Sequence, residues 1–252
     1  MTDYDLDAGP DPATRAAATP EPTAPEAPVY AVGIGPGTPE FLTPRGRQAI
    51  AEADVVVGFE AVVEAVESAI TGDRLTCGYA DEAETLATFG ERVAAGASGT
   101  AVLMGDPNHS GYQFLGKVEA AVDRPVRVIP GISAVQMAAS RARTPLEETL
   151  FVTLHKSGDV STDLDRLTAA VGERHLLVLP RPFDLMPEDI AVRLLEAGAD
   201  PELETLVLER LTHEDETITR QPLAALAAMA DDEDSPFSDL SVLAVRARGA
   251  DR

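Results

Sequence analysis

Residues 29–39 read Val-Tyr-Ala-Val-Gly-Ile-Gly-Pro-Gly-Thr-Pro, and Thr43-Pro44 opens an amphipathic stretch just beyond them. A β-rich run, Val-Tyr-Ala-Val, leading into glycines predicts a strand that ends in a tight turn, because glycine takes positive φ and lets another backbone approach closely. Thr43 is a good N-cap, and Pro44 sits where a helix needs no N–H, so a helix is expected to follow. This strand–turn–helix unit then recurs. Further strands are expected at 54–57, 101–104, 126–129 and 150–154, with helical patterns at 44–53, 60–69, 82–96, 111–122 and 133–142. Such alternation predicts a mostly parallel sheet flanked by helices.

Past residue 156 the rhythm loosens. Helices are expected near 162–171, 188–196 and 222–230, and strands near 175–179, 204–210, 216–220 and 240–246, a spacing that also suits hairpins. The expectation is an α/β chain of two lobes: an N-terminal lobe over 29–156 with a mostly parallel sheet, and a C-terminal mixed α/β lobe over 157–252. Residues 1–28 hold six prolines, seven alanines and six acids with almost no large apolar side chain. They are expected to form a disordered acidic tail, since such a segment cannot offset the entropy of ordering.

Composition excludes several functions. The 252 residues carry 20 basic and 43 acidic side chains, a net charge of −23, so phosphate-rich partners meet a repulsive field and nucleic acid is not expected. No apolar run approaches the ~20 residues needed to cross a bilayer, so no membrane association is expected. Asp3, Asp5 and Asp7 stand where a signal peptide would be basic, and a cytoplasmic location is expected. Cys77 is the single cysteine, and the four histidines at 109, 155, 175 and 213 are scattered, so no spacing resembles a metal site. Lys117 and Lys156 are the only lysines. Arginine elsewhere, on an acid-dominated surface, is the balance of a protein from a salt-rich cytoplasm, where salt screens repulsion among carboxylates.

Three glycine-bearing turns follow three of the expected strands. The first is Gly33-Ile-Gly-Pro-Gly37, which lacks the Gly-x-Gly-x-x-Gly spacing of a dinucleotide loop and has a proline where an amide would be wanted. The second is Met104-Gly-Asp-Pro-Asn-His109; here Asp106 could accept from a ligand or cap the following helix, and His109 is a loop histidine. The third is Pro130-Gly-Ile-Ser-Ala134, with Ser133 as a candidate N-cap whose neighbouring amides could meet a carboxylate. In an open parallel sheet, turns at the strands' carboxyl ends share one crevice, and that is where ligands bind. Leu154-His155-Lys156 closes the fifth strand in the same way.

Val32 to Thr43, Ala53-Asp-Val-Val-Val-Gly58, Gly105-Asp-Pro107 and Pro130-Gly-Ile-Ser-Ala-Val-Gln136, taken in order, resemble the tetrapyrrole methyltransferase family. Leu154-His155 and Leu208-Glu-Arg-Leu-Thr-His-Glu-Asp-Glu-Thr-Ile218 resemble its branch that methylates C5 of a corrin precursor in cobalamin synthesis, and the likeness runs from about residue 29 to 245. The resemblance implies a two-lobed, homodimeric methyltransferase with S-adenosylmethionine as co-substrate and no bound metal. It implies that Pro36, Met104, Gly105, Asp106, His109, Ser133, Ala134, Leu154 and His155 bind that cofactor. Met104 before Gly-Asp-Pro, Asn108-His109 and Lys156 depart from the family's usual residues.

Methyl transfer from a sulfonium to an electron-rich carbon is largely a matter of positioning, and Asp106, His109 and His155 are the candidates for moving a proton. A polycarboxylate corrinoid precursor would be met by arginines such as Arg45, Arg47, Arg141 and Arg181. A C15-methyltransferase/decarboxylase is expected as a separate partner protein. Another precorrin methyltransferase, diphthine synthase or a non-catalytic cofactor sensor are the alternatives. The charge balance also predicts that folding requires molar salt; far-ultraviolet circular dichroism should show native signal only as salt is added, and full structure in dilute buffer would sink that expectation.

Overall fold

The computed structural model describes residues 27–109, 112–156, 158–182, 184–231 and 234–248. The tail expected over 1–28 lies outside the described residues except for Ala27 and Pro28. The chain divides into two units, one ending at Ser133 and the other starting at Ala134. That division comes well before the boundary at Lys156 that the alternation predicts.

The first unit is a five-stranded sheet of β1 Val29–Gly33, β2 Val55–Phe59, β3 Asp73–Cys77, β4 Gly99–Leu103 and β5 Val126–Ile129, in the order β3-β2-β4-β1-β5. Every neighbouring pair is parallel. Its helices are α1 Pro44–Ala51, α2 Glu60–Ala65, α3 Glu82–Ala94 and α4 Tyr112–Ala121. The runs of valine and alanine in the strands are continuous because both sheet faces are covered. Val55 and Val57 point to one face with Ala31, Ala101 and Leu103, where Leu86, Phe89 and Val93 of α3 and Leu115 and Val118 of α4 close the core. Val56 points to the other with Val32 and Val102, under Ile50 of α1 and Val62 and Val63 of α2. The predicted N-cap forms: Thr43 Oγ1 accepts from the Gly46 N–H at 3.0 Å.

β3 is absent from the sequence expectation. Its residues Asp-Arg-Leu-Thr-Cys bury Cys77, pack half-buried Leu75 against the core and leave Asp73, Arg74 and Thr76 exposed, as suits an edge strand paired on one side.

The second unit holds β6 Thr149–Thr153, β7 His175–Leu179, β8 Glu204–Glu209, β9 Thr217–Pro222 and β10 Ser241–Val245, in the order β6-β7-β10-β8-β9. β6 and β7 are parallel, and the other neighbours are antiparallel. The loosened rhythm is therefore a mixed sheet, with β8 and β9 as a hairpin. The strand expected to complete the N-terminal lobe is β6, and it pairs with β7 from Thr149↔His175 to Thr153↔Leu179. The helix pattern at 133–142 becomes α5 Ala134–Ala142, which packs on β7 and β10. Local periodicity reports that a segment is strand or helix and not which sheet it joins. The remaining helices are α6 Ser161–Ala170, α7 Pro187–Glu196 and α8 Leu223–Ala227. Leu167, Leu176, Val178, Ile190, Leu194, Leu223 and Leu243 are among the core residues here. No helix among the described residues is long and apolar enough to cross a membrane.

One glycine sets how closely two helices pack. A Cβ at Gly90 of α3 would lie 2.0 Å from the Ala121 carbonyl at the end of α4. In an open helix Gly→Ala stabilises by about 1 kcal/mol. Here the clash is with backbone, so Gly90→Ala should instead destabilise the protein by about 1–3 kcal/mol in urea melts.

Candidate functional site

Because all five strands of the first sheet run the same way, their carboxyl ends share one edge, and β4, β1 and β5 stand side by side there. The three glycine turns leave from those three strands, and each contacts the next. The Gly35 N–H donates to the Gly105 carbonyl at 3.3 Å, and the Gly105 N–H to the Gly35 carbonyl at 2.8 Å. A Cβ on Gly33 would fall 2.5 Å from both the Gly105 oxygen and the Gly131 nitrogen, and one on Gly131 would fall 2.2 Å from the Gly105 oxygen. Only glycine fits at these two crossings.

Asp106 locks the arrangement. Its side chain is largely buried, and Oδ1 accepts from the Asn108 N–H at 2.8 Å while Oδ2 accepts from the Gly131 N–H at 3.2 Å. Of the two sequence readings, ligand acceptor or helix cap, the structure shows a third use: the carboxylate ties its own turn to the turn after β5. His109 donates its N–H to the Asp106 carbonyl at 3.0 Å and holds Nδ1 3.7 Å from Asp106 Oδ1. Gly105 adopts φ +63°, and among the described residues a Cβ there would meet only Ser133 Cα, at 3.9 Å. Ser133 is buried, Pro36 is half-buried, and Met104 is 43% exposed. Pro36, Met104, Gly105, Asp106, His109 and Ser133 are thus on turns that meet at one end of one sheet.

The other three expected residues belong to the second unit. Ala134 begins α5. Leu154 is wholly buried in the core; its N–H donates to the Leu179 carbonyl at 2.9 Å and its carbonyl accepts from the Lys156 N–H at 2.8 Å. Its side chain therefore serves packing. His155 follows β6 and is exposed, with its N–H bonded to Thr153 Oγ1 at 3.2 Å. Partial desolvation lowers its pKa below 6.5, against the opposing pull of a hydrogen bond to the Pro180 backbone and the charge of Asp239. The ring is a neutral base at physiological pH. Lys156, one of the family departures, pairs with Asp163 of α6.

The four arginines picked out as carboxylate contacts have partners within the chain. Arg45 lies 4.9 Å from the Tyr30 ring centre and donates to its hydroxyl at 2.8 Å, and Arg47 reaches the Pro39 carbonyl at 3.5 Å. Arg181 pairs with Asp184, and Arg141 Nε lies 2.8 Å from Glu216 Oε1. Glu216 also accepts from the Thr212 N–H at 2.8 Å in the β8–β9 turn, where Arg210 and Thr212 take φ +49° and +73°. A β-branched residue at positive φ is a strained feature that surroundings must enforce. No residue-type signal announces it. Cys77 is buried, and desolvation, helped by Glu82 and Asp81, pushes its thiol up to about 12, so it offers no thiolate.

Residues 28–227 match the family described as Tetrapyrrole (Corrin/Porphyrin) Methylases. The probable cobalt-precorrin-7 C(5)-methyltransferase of Methanocaldococcus jannaschii is 30% identical over 204 residues, 79% of this chain and 91% of that protein. Cobalt precorrin-4 methyltransferase, a cobalamin biosynthetic enzyme, superposes with a TM-score of 0.69 at 19% identity, over 87% of this chain and 95% of that one. Uroporphyrin-III C-methyl transferase from Thermus thermophilus, complexed with S-adenyl homocysteine, does so with a TM-score of 0.63 at 25% identity, over 87% and 92%.

His175 provides a titration that needs no ligand. It is buried at the start of β7, its Nδ1 accepts from the Ala247 N–H at 3.1 Å, and desolvation and then Arg246 lower its pKa. A histidine whose folded pKa is depressed contributes stability that is present above its unfolded value, near 6.5, and lost as pH falls through the folded value. Melting temperature should therefore drop as pH falls from 7.5 to 5, and His175→Gln should flatten part of that slope; an unchanged slope would refute the assignment.

Proposed function

The chain belongs to the tetrapyrrole (corrin/porphyrin) methylase family, and from that premise we propose that it methylates C5 of a corrin precursor, cobalt-precorrin-7 or precorrin-6Y, in cobalamin synthesis. The observation that carries the choice of carbon is the Methanocaldococcus jannaschii relative, matched along nearly its whole length. The likeness to cobalt precorrin-4 methyltransferase, at 19% identity, speaks for the fold alone. S-adenosylmethionine as methyl donor is supported by the S-adenyl homocysteine complex of the Thermus thermophilus relative.

The residues present fit such a donor. The α-carbon of Gly105 leaves room for a ligand to approach backbone, and the buried Asp106 carboxylate suits a cationic molecule. When bound, the donor supplies a methyl group already activated on a sulfonium. The protein's work is then to hold, orient and exclude water. Pro36, Met104, Gly105, Asp106, His109 and Ser133 of the first unit, with Ala134, Leu154 and His155 of the second, are the residues proposed to hold it. Leu154 would do so by fixing its strand end, since its side chain is core. His155, neutral at physiological pH, is proposed beside Asp106 and His109 as a candidate to take the proton released after attack. The homodimer, the cytoplasmic location, the saline habitat, the corrinoid substrate and a separate C15-methylating, decarboxylating partner belong to the same proposal.

Incubation of the protein in high salt with S-adenosylmethionine and cobalt-precorrin-7 should add one methyl group by mass spectrometry, placed at C5 by NMR. Methylation at another carbon, or of a different tetrapyrrole only, would overturn the assignment.

A further inference from the structure

Peroxide chemistry finds few openings in this chain. The single thiol, Cys77, is buried and protonated, so it offers no thiolate to oxidise. Methionine is the next side chain that peroxide attacks, and its thioether reacts without ionising. The described residues hold four. Met137 and Met186 are buried, and Met229 is half-buried with its sulfur accepting from Gln221 Nε2 at 3.3 Å. Met104 alone among them is exposed, at 43%, the first residue to return to water after the five buried residues of β4. Its main chain is pinned on both sides. The Ile34 N–H donates to the Leu103 carbonyl at 2.9 Å just before it, and the Gly105 N–H donates to the Gly35 carbonyl at 2.8 Å just after it. A change in the Met104 side chain is therefore met beside Gly105 and Asp106 and is not absorbed by movement of the backbone.

We propose that Met104 is a modification site: hydrogen peroxide oxidises its thioether to the sulfoxide, and this reversible change weakens binding of the methyl donor at the neighbouring turns. The donor's part in this rests on the methyltransferase reading, whereas the oxidation does not. In the step itself a sulfur lone pair attacks one peroxide oxygen, and the S–O bond forms as the O–O bond breaks. The sulfur loses two electrons, and the departing hydroxide takes the proton of the transferred oxygen and leaves as water. A flexible apolar side chain thereby becomes a polar, chiral one. A ligand that packed against the thioether must then desolvate a sulfoxide oxygen for which no donor was provided, and that costs affinity. Reduction of the sulfoxide returns the thioether, so the loss is a setting of the site and not damage to the fold.

The test is peptide mapping by mass spectrometry of the whole protein treated with hydrogen peroxide in high salt, with calorimetric titration of S-adenosylmethionine on the same samples. Met104 should gain one oxygen at least about tenfold faster than Met137 or Met186. Affinity for S-adenosylmethionine should fall about tenfold in step with it. Methionine sulfoxide reductases acting on both sulfoxide epimers should reverse both changes. Met104→Leu should lose the response to peroxide, and Met104→Gln, polar at similar length, should bind weakly before treatment and weaken no further. Another methionine oxidised first, an affinity within about twofold of the untreated protein once Met104 is oxidised, or a loss that persists in Met104→Leu overturns the proposal. If the untreated protein takes up no S-adenosylmethionine, the methyltransferase reading fails and the map alone decides the site. Met104 oxidised first and returned by the reductases then sustains it, and any other order refutes it.

Discussion

At Gly33 and Gly131 there is no room for one carbon atom. Three strand ends approach so closely that backbone lies on backbone, with a carbonyl and an amide occupying the space a side chain would need. This contact is only open to glycine, and it has consequences in both directions. It lets β4, β1 and β5 send their turns to a common point, and it leaves the polar backbone of those turns to be satisfied by something other than a sheet ladder. Gly35 and Gly105 satisfy each other, and the buried Asp106 carboxylate takes the amides of Asn108 and Gly131. The candidate site is therefore built chiefly of main chain held by one acid. Such a site suits chemistry in which the methyl donor is already activated and the protein contributes position.

The acidity of the chain bears on recognition. With more than two carboxylates for every basic side chain, arginines find acids close by. Arg141 with Glu216, Arg181 with Asp184 and Arg210 with Asp215 are pairs of this kind. Those exposed pairs add little to stability singly. Their effect at Arg141 is organisational: Glu216 takes both the guanidinium and the Thr212 amide, so that the positive-φ turn after β8 is fastened to α5. Arg141 thus braces the fold.

The sequence by itself determined the strand–turn–helix rhythm, the Thr43 cap and the three glycine turns with Asp106 among them, because each of these rests on local chemistry: β-branched runs, a hydroxyl before proline, residues that permit positive φ. The mixed second sheet was legible as a broken rhythm. β3 was not, since an edge strand with one core-facing side carries too weak a pattern to stand out. Nor was the allegiance of β6 and α5, because a strand's partner lies across a crossover and leaves no mark on its own residues.

What Asp106 holds, that Leu154 is core, and that Arg45, Arg47, Arg141 and Arg181 have partners within the chain are seen in the tertiary structure alone. Each depends on which distant segments meet, a matter of strand order and register. The chain encodes those through the summed burial of two sheets and not through any short motif.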